Sequence, residues 1–331
     1  MHTILNTLGL IALFLSTTVA VMAQPSAVPA SNLQNAEEDG HYYHQDFDWN
    51  NLSIPAHEIL PGGPPKDGIP SIDAPQFVSG KKQTFLEGED YVIGITHDSI
   101  AKAYPLRIMS YHEVVNDSIG NLPIIVTYSP LCNSGIAYES KIEARYFTYG
   151  VSGKLYNNNT LLYDRQTNSL WLQLTGEAVS GSCQGEKLNM LPTEVTTWAE
   201  WSKKHPSTKV LSTNTGHCRN YEKMAYADYF MSKDLMFPVR NRNRLIPPKT
   251  KVIGFEIDGK IKAYPLFVLP DSKTKVIQEE IEGTTVQIHN DRSSESAYVT
   301  DADGNMLPAV STYWFAWYAF HPDTELFGLT E

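Results

Sequence analysis

The chain is 331 residues long and carries 26 Lys plus Arg against 37 Asp plus Glu, a net charge of −11. That acidic balance leaves no basic stripe to displace counterions from phosphates, which excludes nucleic acid as a partner. With 42% hydrophobic and 19% charged residues, the composition excludes a disordered chain and supplies a real core.

The first element is a leader. Leu8 to Leu15 is an apolar run, and Val21 and Ala23 are the small residues that signal peptidase favours before a cut at Gln24. Residues 1–23 therefore read as a signal peptide, with an uncleaved anchor as the rival. No cysteine follows the run to take a lipid, and no later stretch approaches the ~18 apolar residues of a membrane span. The expectation is an exported protein, periplasmic or extracellular, with no transmembrane span after the signal is removed. Residues 24–63, rich in Ala, Asn, Ser and acids, read as a mobile polar tail. His41 and His44, with Asp46 and Asp48, read there as solvated polar sequence rather than a metal site.

The ordered part repeats itself. Val92–Leu106 (VIGITHDSIAKAYPL) and Val252–Leu266 (VIGFEIDGKIKAYPL) agree at nine of fifteen positions, at an offset of 160. The same offset sets Ala137-Tyr138 on Ala297-Tyr298. Asn189–Thr208 and Asn305–Thr324 agree at ten of twenty positions, at an offset of 116. The chain thus holds a duplicated unit, and the first copy carries 44 extra residues between Tyr138 and Asn189. Each unit opens with a hairpin, turning at His97-Asp98-Ser99 or Asp258-Gly259. Strands are expected over Ile124–Tyr128 and Val286–His289, and in the extra segment over Tyr146–Val151, Thr160–Tyr163 and Ser169–Leu174. A helix closes each unit, Thr196–Lys204 and Thr312–Phe320, with a Thr to cap its start and a His-Pro pair to stop it. Trp198 and Trp201, like Trp314 and Trp317, are three apart and share a core-facing side. The predicted fold is a β-rich α+β domain in two lobes of mostly antiparallel strands. Residues 64–212 form the first lobe, 213–251 a connector and 252–331 the second lobe.

Residues kept in both copies serve folding, which assigns His205 and His321 to structure. Polar residues confined to the first copy are the candidates for chemistry. His112, Glu113, Asn116 and Asp117 lie together in SYHEVVND, and at the offset of 160 His112 faces Ser272 and Glu113 faces Lys273. Cys132, in TYSPLCNSG, faces Arg292, and the extra segment adds Tyr163-Asp164-Arg165. Of the three cysteines, Cys183 and Cys218 sit in polar, Gly-flanked loops and are the expected disulfide, leaving Cys132 free. Asn51, Asn116 and Asn158 each begin a glycosylation-type triplet that carries little weight in a bacterial host.

These motifs resemble the bacterial DUF3179 family, a domain of unknown function. The resemblance rests on Asp67-Gly-Ile-Pro70, Tyr104-Pro-Leu106, His112-Glu113 with Asn116-Asp117, and Val126-Thr-Tyr128 with Pro130-Leu-Cys132. Gly150-Val-Ser-Gly153, Tyr163-Asp-Arg165 with Thr167, Ser169-Leu-Trp171 and Trp198–Ser212 continue it. It implies bacterial export and a shared fold, and carries no activity. The family usually shows Cys-Pro-Leu-Cys where this chain has Ser129-Pro-Leu-Cys132, so no Cys-x-x-Cys dithiol exists here.

Three functions compete. Cys132 with His112 suits copper or zinc, with Asp117 or Glu113 as an oxygen ligand or support. Alternatively Cys132 is a nucleophile, His112 its base and Glu113 or Asp117 the orienting acid, with Asp164-Arg165 holding an anionic group. The third reading is a non-enzymatic exported module for a small-molecule or protein partner, in which these polar residues are internal structure.

Overall fold

The VIG and KAYPL segments fold as the hairpins their turns call for. Tyr91–His97 pairs antiparallel with Ile100–Pro105, and Lys251–Ile257 with Lys260–Pro265. Both turn residues are left-handed in each hairpin, with φ of 47° and 64° at Asp98 and Ser99 and 50° and 81° at Asp258 and Gly259. That backbone twist matches the twist of the flanking strands. The computed structural model describes residues 46–329. The leader at 1–23, and His41 and His44, lie outside those residues.

Each hairpin gains the same two neighbours. Thr193–Thr197 adds antiparallel to the first and Val310–Tyr313 to the second. On the other side Lys209–Leu211 lies parallel to Ile100–Pro105, and Glu325–Leu326 parallel to Lys260–Pro265. The sheets differ at that edge: Phe77–Ser79 adds a fifth strand to the first, whereas the second ends at Glu325–Leu326.

The closing helices run Trp198–Lys204 and Trp314–Phe320. Trp201 and Trp317 press flat on the hairpin backbones, where a Cβ on Gly94 or Gly254 would lie 2.3 or 2.4 Å from the indole ring. Only glycine admits that approach. The indole N–H groups donate to Thr208 Oγ1 (2.9 Å) and Thr324 Oγ1 (3.0 Å), and His205 and His321 pack tilted against the same rings. The two histidines of the His-Pro pairs therefore finish the helix packing. Thr197 caps the first helix by accepting from Glu200 N, but Tyr313 stands at the second start with no side-chain cap. The expected caps, Thr196 and Thr312, each stand one residue before the cap position, and Thr312 Oγ1 donates to the Cys132 carbonyl.

Beyond each hairpin lies a three-stranded meander, Val114–Ile119, Leu122–Ser129 and Ser134–Glu139 in the first copy. Ile277–Ile281, Thr284–Asp291 and Ser296–Asp301 form the second. Met190 pairs with Tyr138, and Met306 with Thr300. This register corrects the alignment: the second copy is two residues longer after Leu266, so Ala137-Tyr138 corresponds to Val299-Thr300. The loop Pro130–Asn133 then matches Arg292–Glu295, with a left-handed residue at Asn133 (φ 51°) and Glu295 (φ 43°). Cys132 corresponds to Ser294, not to Arg292.

The extra segment builds a sheet of its own, in which Tyr149–Tyr156, Asn159–Asp164 and Leu170–Leu172 pair in sequence and Ile59–Pro61 joins the edge. Five small, mostly antiparallel sheets form a propeller-like ring, 40% strand and 11% helix. Each helix is only four to seven residues long. The largest apolar cluster joins Val114, Tyr138 and Trp171 to Val252, Val310 and Trp314, so residues of the two expected lobes share one core. Part of the expected tail is built in: Phe47 and Ile59 are buried against Tyr163 and Leu170, because apolar residues recur through 47–59 despite the polar composition. Among the described residues no helix is long and apolar enough to cross a membrane.

Candidate functional site

His112 and Glu113 are neighbours in sequence that serve different surroundings. A helical turn, Leu106–Met109, delivers them, and Glu113 N closes on Met109 O at 2.7 Å. Glu113 is left-handed (φ 57°), a strained setting for a non-glycine residue. His112 is buried, with Nδ1 2.7 Å from the Pro70 carbonyl and Nε2 2.6 Å from the Tyr221 hydroxyl. A carbonyl only accepts, so Nδ1 carries the proton and Tyr221 donates to Nε2. Tyr221 in turn lies 2.6 Å from Thr215 Oγ1. Burial lowers the imidazole pKa to about 4, with the charges of His217 and Arg219 adding to it against the Pro70 hydrogen bond. His112 is a neutral, doubly bonded side chain.

Glu113 looks elsewhere. Thr160 Oγ1 donates to its Oε2 at 3.0 Å, and the Tyr226 hydroxyl also bonds it. Burial raises its carboxyl from 4.5 to about 7, only partly offset by those two hydrogen bonds. The carboxyl thus holds its proton well above the ordinary carboxylate range.

Cys132 lies in the tight loop between Leu122–Ser129 and Ser134–Glu139, and its thiol donates to the Asn158 carbonyl at 3.4 Å. Its own carbonyl accepts from Tyr313 N (2.9 Å) and Thr312 Oγ1 (2.8 Å), which ties this loop to the second copy. Burial pushes the thiol up to about 12, opposed by hydrogen bonds from Asn159 and Ser129 and reinforced by the Glu113 charge. The ionisable neighbour felt by Cys132 is therefore Glu113. His112 and Cys132 have no hydrogen-bond partner in common, and no group of three His, Cys, Asp or Glu side chains is set to hold a metal among the described residues.

The remaining candidates are internal ties. Asp117 accepts from Lys102 Nζ (2.7 Å) and the Tyr104 hydroxyl (2.6 Å). The second copy repeats this set with Glu279, Lys262 and Tyr264, so Asp117 belongs to the KAYPL motif shared by both copies. Buried Asp164 accepts from Thr167 N (2.6 Å) and Trp171 Nε1 (2.9 Å), holding the turn to Leu170. Arg165 pairs instead with Asp73 at 3.0 Å and donates to Ser71. The two neighbours neither pair with each other nor share a ligand position. The disulfide expectation is corrected: all three cysteines are free, Cys183 buried and 3.6 Å from Thr167 Oγ1, Cys218 exposed beside Arg219. One is a core residue and the other sits on a surface turn, so a bridge is ruled out.

A buried polar centre surrounds Cys132 that residue-by-residue reading missed. Gln173 links Ser134, Asn159 and Thr127 within 2.8–3.0 Å, and Thr160 N reaches Ser129 Oγ at 3.3 Å. Asn157 and Asn158, both left-handed, turn the hairpin, and Asn158 Nδ2 donates to the Phe237 carbonyl at 2.6 Å. The signal was the run Asn157-Asn-Asn-Thr160, whose glycosylation-type triplet is buried and inaccessible. Tyr226 and Tyr229 of the 213–250 segment cover the centre, and the Tyr229 hydroxyl donates to the Leu131 carbonyl at 2.8 Å.

Fold and site together define a β-rich ring scaffold enclosing a closed Glu/Cys/Asn polar centre. Residues 66–324 match the family described as protein of unknown function (DUF3179), and the chain belongs to that family. No curated protein and no solved structure matches it.

Proposed function

We propose that this chain is an exported, internally duplicated, non-enzymatic binding module for a protein or small-molecule partner. One observation carries the reading: the side chains that metal or thiol chemistry would use are spent on the scaffold. His112 has both ring nitrogens bonded to protein, and the Cys132 thiol is buried, protonated and bonded to a backbone carbonyl rather than to an imidazole. The shared strand order of the two hairpin sheets supports duplication, and residues 1–23 support release to the periplasm or the exterior. Native protein at pH 7 should react with iodoacetamide at Cys218 only, and a His112→Ala/Cys132→Ser variant should keep its partner binding. Rapid labelling of Cys132 would sink this reading.

Glu113 favours a second one. A left-handed, buried carboxyl with a raised pKa beside a thiol is an arrangement found where chemistry is done. If the segment carrying Tyr226 and Tyr229 moves aside, Cys132 becomes a ligand for copper or zinc, or a thiol with Glu113 as its proton acceptor. Uptake of one zinc or copper per chain that Cys132→Ser abolishes marks this case.

A further inference from the structure

The two hairpin sheets differ in one strand, and that difference exposes a site. In the first sheet Phe77–Ser79 pairs with Lys209–Leu211, Val78 opposite Val210, and Gly80 N donates to the Thr208 carbonyl at 2.9 Å. The chain then crosses Trp198, where a Cβ on Gly80 would lie 2.9 Å from the ring. It fills one side of a cleft bounded by Trp198, Ser202, Pro206 and Thr208. In the second sheet the matching positions, Trp314, Tyr318, Pro322 and Thr324, line a cleft of about 200 Å³. Nothing among the described residues pairs with the outer edge of Glu325–Leu326. By equivalence with Val210, Leu326 turns its backbone N–H and C=O to that edge. The indole N–H of Trp314, buried at the cleft, has no acceptor among the described residues. Its burial without a partner marks a missing acceptor.

Charge selects the occupant. Asn243, Leu245, Leu326 and Leu329 complete the cleft, and the exposed Arg242 and Arg244, next in sequence to Asn243 and Leu245, make no ion pair among the described residues. Of the acidic groups here, Glu325 is already paired with Lys260 and Lys262, and the exposed Asp323, between Pro322 and Thr324, offsets one of the two arginines. On a chain of net charge −11 this is a local cationic rim.

We propose that the Glu325–Leu326 edge and the Trp314 cleft bind an extended, acidic peptide segment of a partner protein by strand addition. The segment runs antiparallel to Glu325–Leu326, as Phe77–Ser79 runs to Lys209–Leu211. It places a small residue over Trp314 and carboxylates against Arg242 and Arg244. This deepens the binding-module reading by naming the partner's chemistry and rests on it.

The test is fluorescence anisotropy with the full mature chain and a labelled peptide, Gln-Phe-Val-Ser-Gly-Glu-Asp-Glu. Saturable binding is expected. A peptide with Pro in place of Val, which removes the edge N–H, should bind at least tenfold more weakly. So should an Arg242→Glu/Arg244→Glu variant, whose Tm should match that of the parent. Absence of binding, or binding indifferent to both changes, overturns the proposal. Tighter binding after removal of residues 24–45 would instead assign the edge to this chain's own acidic Glu37-Glu38-Asp39 segment. Concentration-dependent dimerisation that the peptide disrupts would assign it to a second copy. Partner capture that survives the double charge reversal overturns this edge while leaving the binding-module reading standing.

Discussion

Replacing Glu113 with Gln isolates the energetic consequence of burying a carboxyl in the polar centre. The folded protein holds the Glu113 proton up to about pH 7, whereas an ordinary Glu releases it near 4.5. Between those values the folded state binds the proton more tightly than the unfolded chain, so raising the pH lowers stability until the folded carboxyl also ionises. At 1.36 kcal/mol per unit, the penalty above pH 7 amounts to about 3 kcal/mol. His112 acts with the opposite sign. Its pKa falls from 6.5 to about 4, so its contribution is present above 6.5 and lost as the pH drops toward 4. The substituted amide keeps the volume, the left-handed backbone and an acceptor for Thr160, but cannot ionise. Urea unfolding at intervals from pH 4.5 to 7.5 should therefore show Glu113→Gln gaining on the parent by about 3 kcal/mol across the range. A difference that stays constant with pH would refute the assignment of a shifted carboxyl at this position.

Gly94→Ala should cost about 3 kcal/mol, since the new methyl would meet the Trp201 ring at 2.3 Å, while Gly88→Ala, with its nearest neighbour at 3.6 Å, should be close to neutral. Thermal unfolding of the two variants decides this, and equal effects would count against the packing argument. Asp117→Ala strands the buried Lys102 ammonium and should cost about 3 kcal/mol. Adding Lys102→Met should recover most of that loss in chemical denaturation, and a strictly additive double variant would show that the pair is not coupled.

The local parts of this protein were legible in its sequence. Both hairpins, with their polar turns, and the two Trp-bearing helices follow from alternation, turn residues and His-Pro stops, which act over a few residues. The shared pattern also marked the histidines that pack on Trp201 and Trp317 as structural. What failed depended on pairing across the chain. The true partner of Asp117 is Glu279, not Ile277, because the hairpin turns at Gly120 and Gly283 set the meander register and a two-residue extension precedes it in the second copy. Cys183 and Cys218 share polar, Gly-flanked surroundings in sequence, yet one is buried under Ser169 and the other faces solvent. His112 and Glu113 were grouped because they are adjacent, and a single left-handed residue parts them. The acidic balance is a property of the chain itself. The polar centre, the coupling of Cys132 to Glu113 and the open strand edge exist only once distant segments pair, because burial and hydrogen-bond partners are settled by tertiary contacts that no local pattern records.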